Sequence, residues 1–212
     1  MTAFRLISLV RHPEATFNVQ GRVQGQSLSS VITPRGRRQA GKFWESFLRS
    51  APEPDTVFCS DPPRASAMLE GMPFRAPIVL SPMLREIGRG AFEGKEYSDP
   101  EWQEFCRKME AGGDASEDYP GVESHAHALE RGMGFLRGAA LHSSGKHVLL
   151  VSHGELNRLI VASLLGRSVR DLLSGKIPPI GQPNCCVNRI AWDGERLLLI
   201  DYGIVPEGVQ GA

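Results

Sequence analysis

Short apolar runs that end abruptly on polar residues mark the predicted strands of this chain. The first strand is predicted at about residues 4–10, and it is followed at once by Arg11 and His12. A second apolar run, residues 147–151, leads in the same way to His153. Runs of this length, bounded by polar or turn residues, are typical of buried strands. Because ligands bind outside the carboxyl ends of parallel strands, we expect both histidines to belong to one site.

The remaining patterns alternate between strand and helix. Thr33-Pro34 joins a capping residue to a proline at the first helical position, so a helix begins there and ends before Pro52. The other predicted elements are strands at 56–59 and 78–80, helices from Pro62-Pro63, at about 123–141 and at about 156–164, and a terminal hairpin around Asp193-Gly194. The alternation predicts an α/β fold, a three-layer α/β/α sandwich with a mostly parallel sheet. From Glu86 to Pro120 the sequence is rich in glycine and loops, around a short aromatic helix near Trp102 and Phe105.

Length and charge narrow the class of protein. The 212 residues fit one domain, expected to cover residues 1–212, and 24 basic side chains balance 24 acidic ones. The net charge is zero, so electrostatic attraction does not favour binding to nucleic acid or to a membrane surface. No apolar stretch approaches the ~20 residues of a membrane span. The first residues show no separate hydrophobic segment ahead of the first strand, so we expect no secretory signal. The four cysteines show no CxxC spacing. We expect a cytoplasmic protein with reduced cysteines.

Six short motifs follow one another along nearly the whole chain. They are Leu9-Val10-Arg11-His12-x-Glu14 with Asn18 and Gly21-Arg22-Val23-Gln24-Gly25, Ile32-Thr33-Pro34-Arg35-Gly36, Ser60-Asp61-Pro62-Pro63-Arg64-Ala65, Leu84-Arg85-Glu86-Ile87 with Gly90-Ala91-Phe92-Glu93-Gly94, Pro120-Gly121-Val122-Glu123-Ser124, and Val151-Ser152-His153-Gly154. In this order the motifs resemble those of the histidine phosphatase superfamily, in its phosphoglycerate mutase-like branch. One such motif alone is weak evidence, whereas six in order are specific.

The resemblance implies phosphoryl transfer to a histidine. It implies three catalytic residues. His12 is the nucleophile, Glu86 protonates the leaving oxygen, and His153 donates to the phosphate. It also implies a set that binds the substrate phosphate: Arg11, Asn18, Gln24, Arg64 and Gly154. These residue types suit phosphoryl transfer. A neutral imidazole is nucleophilic, and a guanidinium forms bidentate hydrogen bonds with phosphate oxygens. No metal and no other cofactor is implied.

The predicted activity is therefore that of a metal-independent phosphomonoesterase acting on a small phosphorylated metabolite through phosphohistidine. Two alternatives stay open: a bisphosphoglycerate-dependent phosphoglycerate mutase, and a catalytically impaired phosphate-binding or regulatory module. The resemblance also implies a small lid insertion at approximately 86–122. This lid is shorter than the insertion of the family's mutases, which favours hydrolysis over the mutase reaction. Pro13, where the family usually has glycine, keeps the impaired module in play because proline lacks a backbone N–H. The expected partner is a small phosphate ester, with neither nucleic acid nor membrane, and a homodimer is compatible with the sequence.

Other residues have plainer interpretations. His125, His127, His142 and His147 are interpreted as surface residues. Glu93 lies on the same loop as Glu86 and competes with it for the acid role. Trp102 and Phe105 are interpreted as core residues of the lid rather than as substrate contacts.

Overall fold

The computed structural model describes residues 4–111, 114–175 and 178–212. The strands of this part are β1 (Arg5–Arg11), β2 (Thr56–Cys59), β3 (Ile78–Leu80), β4 (His147–Ser152), β5 (Val187–Trp192) and β6 (Leu197–Ile204). Its helices are α1 (Thr16–Val19), α2 (Pro34–Ser50), α3 (Pro63–Ser66), α4 (Pro100–Glu110), α5 (His125–His142), α6 (Gly154–Leu164) and α7 (Val169–Leu173). None of these helices is both long and apolar enough to cross a membrane.

The strands form one six-stranded sheet in the order β3-β2-β4-β1-β5-β6. The four strands β3, β2, β4 and β1 pair in parallel, and the hairpin of β5 and β6 joins them antiparallel at the β1 side. The predicted mostly parallel sheet with a terminal hairpin is therefore confirmed.

Helices cover both faces of the sheet, and the side chains of β4 show why. Val148 and Leu150 pack with α5 and α6 in one buried cluster, whereas Leu149 and Val151 pack with α2 in another. Successive side chains of a strand point to opposite faces, so a strand buried on both sides is apolar throughout. The predicted three-layer sandwich is confirmed.

Strand pairing brings the two histidine-bearing ends together. Arg11 of β1 stands opposite Ser152 of β4 in the parallel register. The backbone N–H of His12 then donates to the carbonyl oxygen of Ser152 at 3.0 Å. His12 and His153 consequently leave the sheet side by side.

The segment 86–122 has a small core of its own, and we call this segment the lid. It contains α4 and 3₁₀ turns at Gly90–Phe92 and Ala115–Asp118. Phe105 is 2% exposed inside a cluster with Phe92 and Met109, and Trp102 packs against that cluster while remaining partly exposed. The interpretation of Phe105 as lid core is confirmed, but Trp102 also faces a cavity described below.

Three local predictions differ from the structure. The helix from Pro62-Pro63 is short, because α3 gives way to a 3₁₀ turn at Ala67–Leu69. Helix α5 begins at His125 rather than at 123, where the Ser124 hydroxyl accepts from the backbone N–H of His127. The short helices α1 and α7 were not predicted, since each is too brief for apolar periodicity to be detected.

The interpretation of His147 as a surface residue is wrong. Its imidazole is 1% exposed, and Nδ1 donates to the carbonyl oxygen of Pro52 at 2.7 Å. Its Nε2 then accepts from the hydroxyl of Ser8 at 2.9 Å. Burial lowers the pKa of His147, so the ring serves as a neutral link between β1, β4 and the loop before β2.

Candidate active site

His12 is buried where β1 ends, with a fixed proton position. Its Nδ1 lies 2.6 Å from the carbonyl oxygen of Pro13. Because a carbonyl only accepts, Nδ1 donates and Nε2 keeps its lone pair. Burial, and then the charges of Arg11 and Arg64, hold the pKa of His12 well below its ordinary value. The residue is therefore a neutral imidazole whose Nε2 carries a free lone pair.

His153 lies beside it at the start of α6. The two ring centroids are 5.1 Å apart, and His153 is fully buried. Its Nε2 is 2.8 Å from the hydroxyl oxygen of Ser60, and its Nδ1 has no hydrogen-bond partner among the described residues. Burial and the charge of Arg64 hold the pKa of His153 well below its ordinary value. A hydroxyl can donate or accept, and in the tautomer in which Ser60 donates to Nε2, the Nδ1–H of His153 is a free donor.

Arg64, at the start of α3, is a completely buried cation. Its two amino groups donate to the carbonyl oxygens of Ser27 and Gly25, each at 2.6 Å. No carboxylate in the described part of the chain forms an ion pair with it, and burial lowers its pKa to about 10. A buried charge is costly unless a counter-ion meets it. This site consequently favours an anion.

Arg11 is the second cation of the site, and Gly154 gives it room. One Arg11 amino group donates to the carbonyl oxygen of Gln182, while Arg11 Nε finds no partner among the described residues. A Cβ on residue 154 would stand 3.1 Å from Arg11 Nε and 3.2 Å from Cζ. The absence of a side chain at Gly154 thus lets the guanidinium pack against the first turn of α6.

The two competing glutamates have different places. Glu86 borders the cavity above His12, and its carboxylate accepts from the backbone N–H groups of Glu155 and Leu156, each at 2.9 Å. Glu93 does not border that cavity, and its carboxylate instead accepts from the backbone N–H of Gln26 at 2.7 Å. The geometry therefore favours Glu86 over Glu93 for a role at the reacting atoms.

Asn18 and Gln24 both border the same cavity. Asn18 Oδ1 accepts from the backbone N–H of Ala15 at 3.0 Å, which fixes the side chain at the start of α1. Gln24 Oε1 is buried without a partner among the described residues. Each amide is thus placed to present its NH₂ group to an anion in the cavity.

This catalytic cavity has a volume of about 370 Å³. Six of the eight predicted site residues border it: Arg11, His12, Asn18, Gln24, Glu86 and Gly154. Arg64 and His153 do not border it but lie buried beside His12, close enough for their charges and rings to interact with it. The structure brings the whole predicted set to one place.

Comparison with known proteins places this arrangement in a family. The family model of the histidine phosphatase superfamily (branch 1) matches residues 7–204. The chain belongs to this superfamily. This chain is an enzyme of the phosphatase class.

Individual relatives cover different shares of this histidine phosphatase. A probable phosphoglycerate mutase GpmB of Cronobacter sakazakii is 31% identical over 76% of the chain and 74% of its own length. A metal-independent phosphoserine phosphatase of Arabidopsis thaliana is 32% identical over 73% of the chain and 66% of its own length. The solved structure of Bacillus stearothermophilus YhfR superposes with a TM-score of 0.81 at 24% identity, covering 95% of this chain and 98% of that one.

Sequence reasoning missed two residues that support the site of this histidine phosphatase. Ser60 follows β2 directly and contacts His153, so the rule that led to His12 and His153, polar residues at strand ends, also applies to it. Gln182 contributes only a backbone carbonyl to Arg11 from a loop far along the chain. Nothing in the local sequence of Gln182 signals that contact.

The interpretation of His125 as a surface residue is wrong. It is 3% exposed, and its Nε2 lies 3.7 Å from a carboxylate oxygen of Glu155, which also pairs with Arg158. These partners hold the pKa of Glu155 at about 2, against the opposing effect of burial. His127, by contrast, is exposed, as predicted. Among the residues that the structure describes, no group of three His, Cys, Asp or Glu side chains could hold a metal ion.

Proposed function

We propose that this histidine phosphatase hydrolyses phosphate monoesters of metabolites without a metal ion, through a phosphohistidine at His12. One observation carries the proposal. Arg11 and Arg64 stand beside the two buried histidines, and neither forms an ion pair with a carboxylate in the described part of the chain. A phosphate dianion matches two such guanidinium groups in charge and in hydrogen-bond geometry.

The first step forms the phosphohistidine. The Nε2 lone pair of His12 attacks phosphorus, an N–P bond forms, and the bond between phosphorus and the ester oxygen breaks. Glu86 gives its proton to that oxygen, and the alcohol leaves. The site is suited to this step because Glu86 Oε2 accepts only one backbone N–H, from Glu155, and so retains a position for the proton.

The second step returns the enzyme to its starting state. Glu86, now a carboxylate, takes a proton from water, whose oxygen attacks phosphorus. The N–P bond breaks, its electron pair returns to His12 Nε2, and inorganic phosphate forms. Throughout both steps Arg11, Arg64 and the Nδ1–H of His153 stabilise the charge on the non-bridging oxygens, as positioned donors do in phosphoryl transfer.

Pro13 is compatible with this chemistry. The substitution of glycine by proline removes a backbone N–H, but the carbonyl oxygen of Pro13 still accepts from His12 Nδ1 at 2.6 Å. The tautomer needed for attack by Nε2 is therefore maintained. This argues for an active enzyme rather than an impaired phosphate-binding module.

The substrate belongs among phosphorylated metabolites, with relatives named for phosphoserine and for phosphoglycerate. A cytoplasmic location is part of the proposal. It is supported by the four cysteines, all of them free thiols, three of them buried, as expected in a reducing compartment.

A labelled-substrate experiment tests the function. The purified protein is assayed against a panel of phosphate monoesters with a saturating chelator, and the reaction is quenched in acid and in alkali. We expect phosphate release that the chelator does not affect, and a phosphoenzyme that is labile in acid and stable in alkali. Loss of activity on chelation, with recovery on adding a divalent ion, would overturn the metal-independent mechanism.

The mutase alternative has its own test. The protein is incubated with 3-phosphoglycerate and a catalytic amount of 2,3-bisphosphoglycerate, and the products are separated. We expect no appreciable 2-phosphoglycerate. Efficient isomerisation would replace hydrolysis by the mutase reaction as the function.

A further inference from the structure

A second cavity, of about 540 Å³, adjoins the catalytic cavity. Four residues border both cavities, two from the lid and two from the start of α6: Arg89, Trp102, Glu155 and Arg158. The two cavities are therefore neighbours, with these four side chains at their boundary. The second cavity is the larger of the two, so the lid encloses more space than a phosphate and a three-carbon group require.

The far wall of the second cavity is mostly apolar, with Glu110 and Ser174 as polar members. Phe105, Cys106 and Met109 line it from α4, and Leu172 and Leu173 line it from α7. Substrate pockets have this character, with apolar walls and a few polar groups that orient the ligand. Here the polar groups are concentrated where the two cavities meet.

The junction between the cavities is a charged cluster with one positive charge left over. Arg158 pairs with Glu155, while His125 Nε2, which lies 3.7 Å from the same carboxylate, accepts from Arg89 Nη2 at 3.4 Å. Arg89 forms no ion pair with a carboxylate in the part of the chain that the structure describes; its guanidinium lies over Trp102 and Phe105, 5.7 and 5.8 Å from the ring centroids. A substrate that passes this point is polar in its middle and apolar at its end.

We propose that the second cavity is the leaving-group subsite of this enzyme, and that it receives an apolar chain or ring carried by the alcohol of the phosphate ester. The proposal rests on the proposed function and names its substrate class: esters whose alcohol continues beyond the junction at Arg89 and Arg158. Binding of the distal apolar group contributes to kcat/KM because it holds the ester in place at His12.

A series of n-alkyl phosphates tests this subsite directly. The alcohols from ethanol to hexanol leave as alkoxides of nearly equal basicity, so the chemical step is constant along the series. Burial of each methylene favours binding by an amount that corresponds to about a fourfold increase in affinity. We expect little change for the shortest esters, whose chains end at the charged junction, and then a rise in kcat/KM of about two- to fourfold for each methylene that enters the second cavity. A series that is flat, or that falls with chain length, would overturn the proposal.

A cavity-filling variant locates the effect. Cys106 borders only the second cavity, so Cys106→Trp should fill it while leaving the catalytic cavity open. We expect hexyl phosphate to fall to the kcat/KM of ethyl phosphate, with ethyl phosphate slowed less than twofold. Arg107→Trp introduces the same indole at an exposed neighbour on α4 and should change the rate of neither ester. Equal losses on both esters in Cys106→Trp, or no loss on either, would overturn the assignment.

Failure of the proposed function gives a different result. In that case wild-type protein would hydrolyse neither the alkyl esters nor p-nitrophenyl phosphate, whatever the chain length. A flat series with active hydrolysis of p-nitrophenyl phosphate would overturn only the subsite. The melting temperature of each variant is measured alongside, so that a folding defect is recognised.

Discussion

The residues at the strand ends and the residues of the lid are held in place in different ways. At the strand ends, His12, Arg64 and His153 are buried, and each is fixed by a hydrogen bond of 2.6 to 2.8 Å. In the lid, Phe92, Trp102, Phe105 and Tyr119 contact one another through rings whose centroids are 5.1 to 5.4 Å apart. Hydrogen bonds thus fix the side chains at the strand ends, whereas the packing of large side chains shapes the lid.

We expect the two regions to control different properties of the enzyme: the strand ends the rate of phosphoryl transfer, and the lid the selectivity among esters. A phosphoryl-transfer site needs charges and lone pairs at fixed positions, and backbone carbonyls and a hydroxyl provide that at the strand ends. A leaving-group pocket needs only a shape and a polarity, which packed rings and aliphatic side chains provide. Substitutions at the strand ends should therefore affect every ester, whereas substitutions in the lid should affect esters according to their alcohol.

The largest expected effect is the loss of the nucleophile. His12→Ala removes the only nitrogen proposed to form the bond to phosphorus, so kcat should fall by at least about 10⁴-fold on every ester. Trp102→Ala enlarges the junction of the two cavities, and its effect on kcat/KM should differ between ethyl and hexyl phosphate. Both variants are assayed by phosphate release on the same ester panel.

A matched control for this pair is His142→Ala, which removes an exposed histidine from the end of α5 and should leave all rates unchanged. If well-folded His12→Ala retained more than a few per cent of activity, another group would have to be the nucleophile. If Trp102→Ala lowered kcat/KM on all esters equally, the lid would belong to the chemical step.

Glu86 belongs to both regions, since it begins the lid while its carboxylate accepts from the first turn of α6. Glu86→Gln removes the proton donor, and removal of one general acid typically costs ~10²–10⁴-fold. The loss should be large on an alkyl ester, whose alkoxide needs the proton, and distinctly smaller on p-nitrophenyl phosphate. The rates of the two esters are compared under saturating conditions.

Glu93→Gln is the control for the acid, because Glu93 lies on the same loop and binds only backbone N–H groups there. It should show no dependence on the leaving group. Equal losses on both esters in Glu86→Gln would reduce Glu86 to a residue that shapes the cavity. A dependence on the leaving group in Glu93→Gln would transfer the acid role to Glu93.

Stability against pH should also depend on the strand ends and not on the lid. His12 and His153 have pKa values well below the ordinary value, whereas the lid contains no histidine. The unfolded chain binds protons at these histidines as the pH falls below about 6.5 and the folded chain does not, so the free energy of unfolding falls with pH. Between pH 7.5 and 5.5 each histidine should contribute a loss of roughly 1.4 kcal/mol.

Urea unfolding in phosphate-free buffer measures this dependence. The variant carrying both His12→Asn and His153→Asn should lose most of the dependence that these two histidines cause, while the buried His147 keeps a share in the same direction. Carboxylates with lowered pKa values, such as Asp61 beside Arg85, lose their stabilising effect only at more acidic pH and do not affect this window. An unchanged dependence in the double variant would contradict the assignment of neutral, buried imidazoles.

The strand-end residues were predictable from the sequence because their signals are local. An apolar run followed by Arg11-His12, or by Ser152-His153, places the side chains at the edge of a sheet before any contact is known. The same rule applies to Ser60. What it leaves out is the partner of each side chain, such as the Gln182 carbonyl at Arg11, since tertiary packing alone brings it there.

The lid and the histidines beside it were less predictable. Its side chains at 102, 105, 106 and 109 follow a helical period on α4, but Phe92 and Tyr119 join their cluster from separate loops. Two histidines expected at the surface, His125 and His147, are buried. Each occupies a polar position in the pattern but is covered by a distant element: Glu155 of α6 for His125, and the loop at Pro52 for His147. A polar residue in a sequence indicates that its side chain needs hydrogen-bond partners. Water supplies these partners at the surface, and other protein groups can supply them in the interior.

The smallest expected effect concerns the space beside Arg11. Gly154→Ala would place a Cβ 3.1 Å from Arg11 Nε, so the guanidinium must shift by a few tenths of an ångström. A misfit of this size weakens phosphate binding by about 1 kcal/mol, which raises the inhibition constant of inorganic phosphate roughly fivefold. Gly134→Ala, in the middle of α5 with no atom within 4 Å of the new Cβ, is the control, and it should stabilise the fold without weakening phosphate binding. Phosphate inhibition unchanged in Gly154→Ala would mean that Arg11 does not bind phosphate in the position that the structure shows.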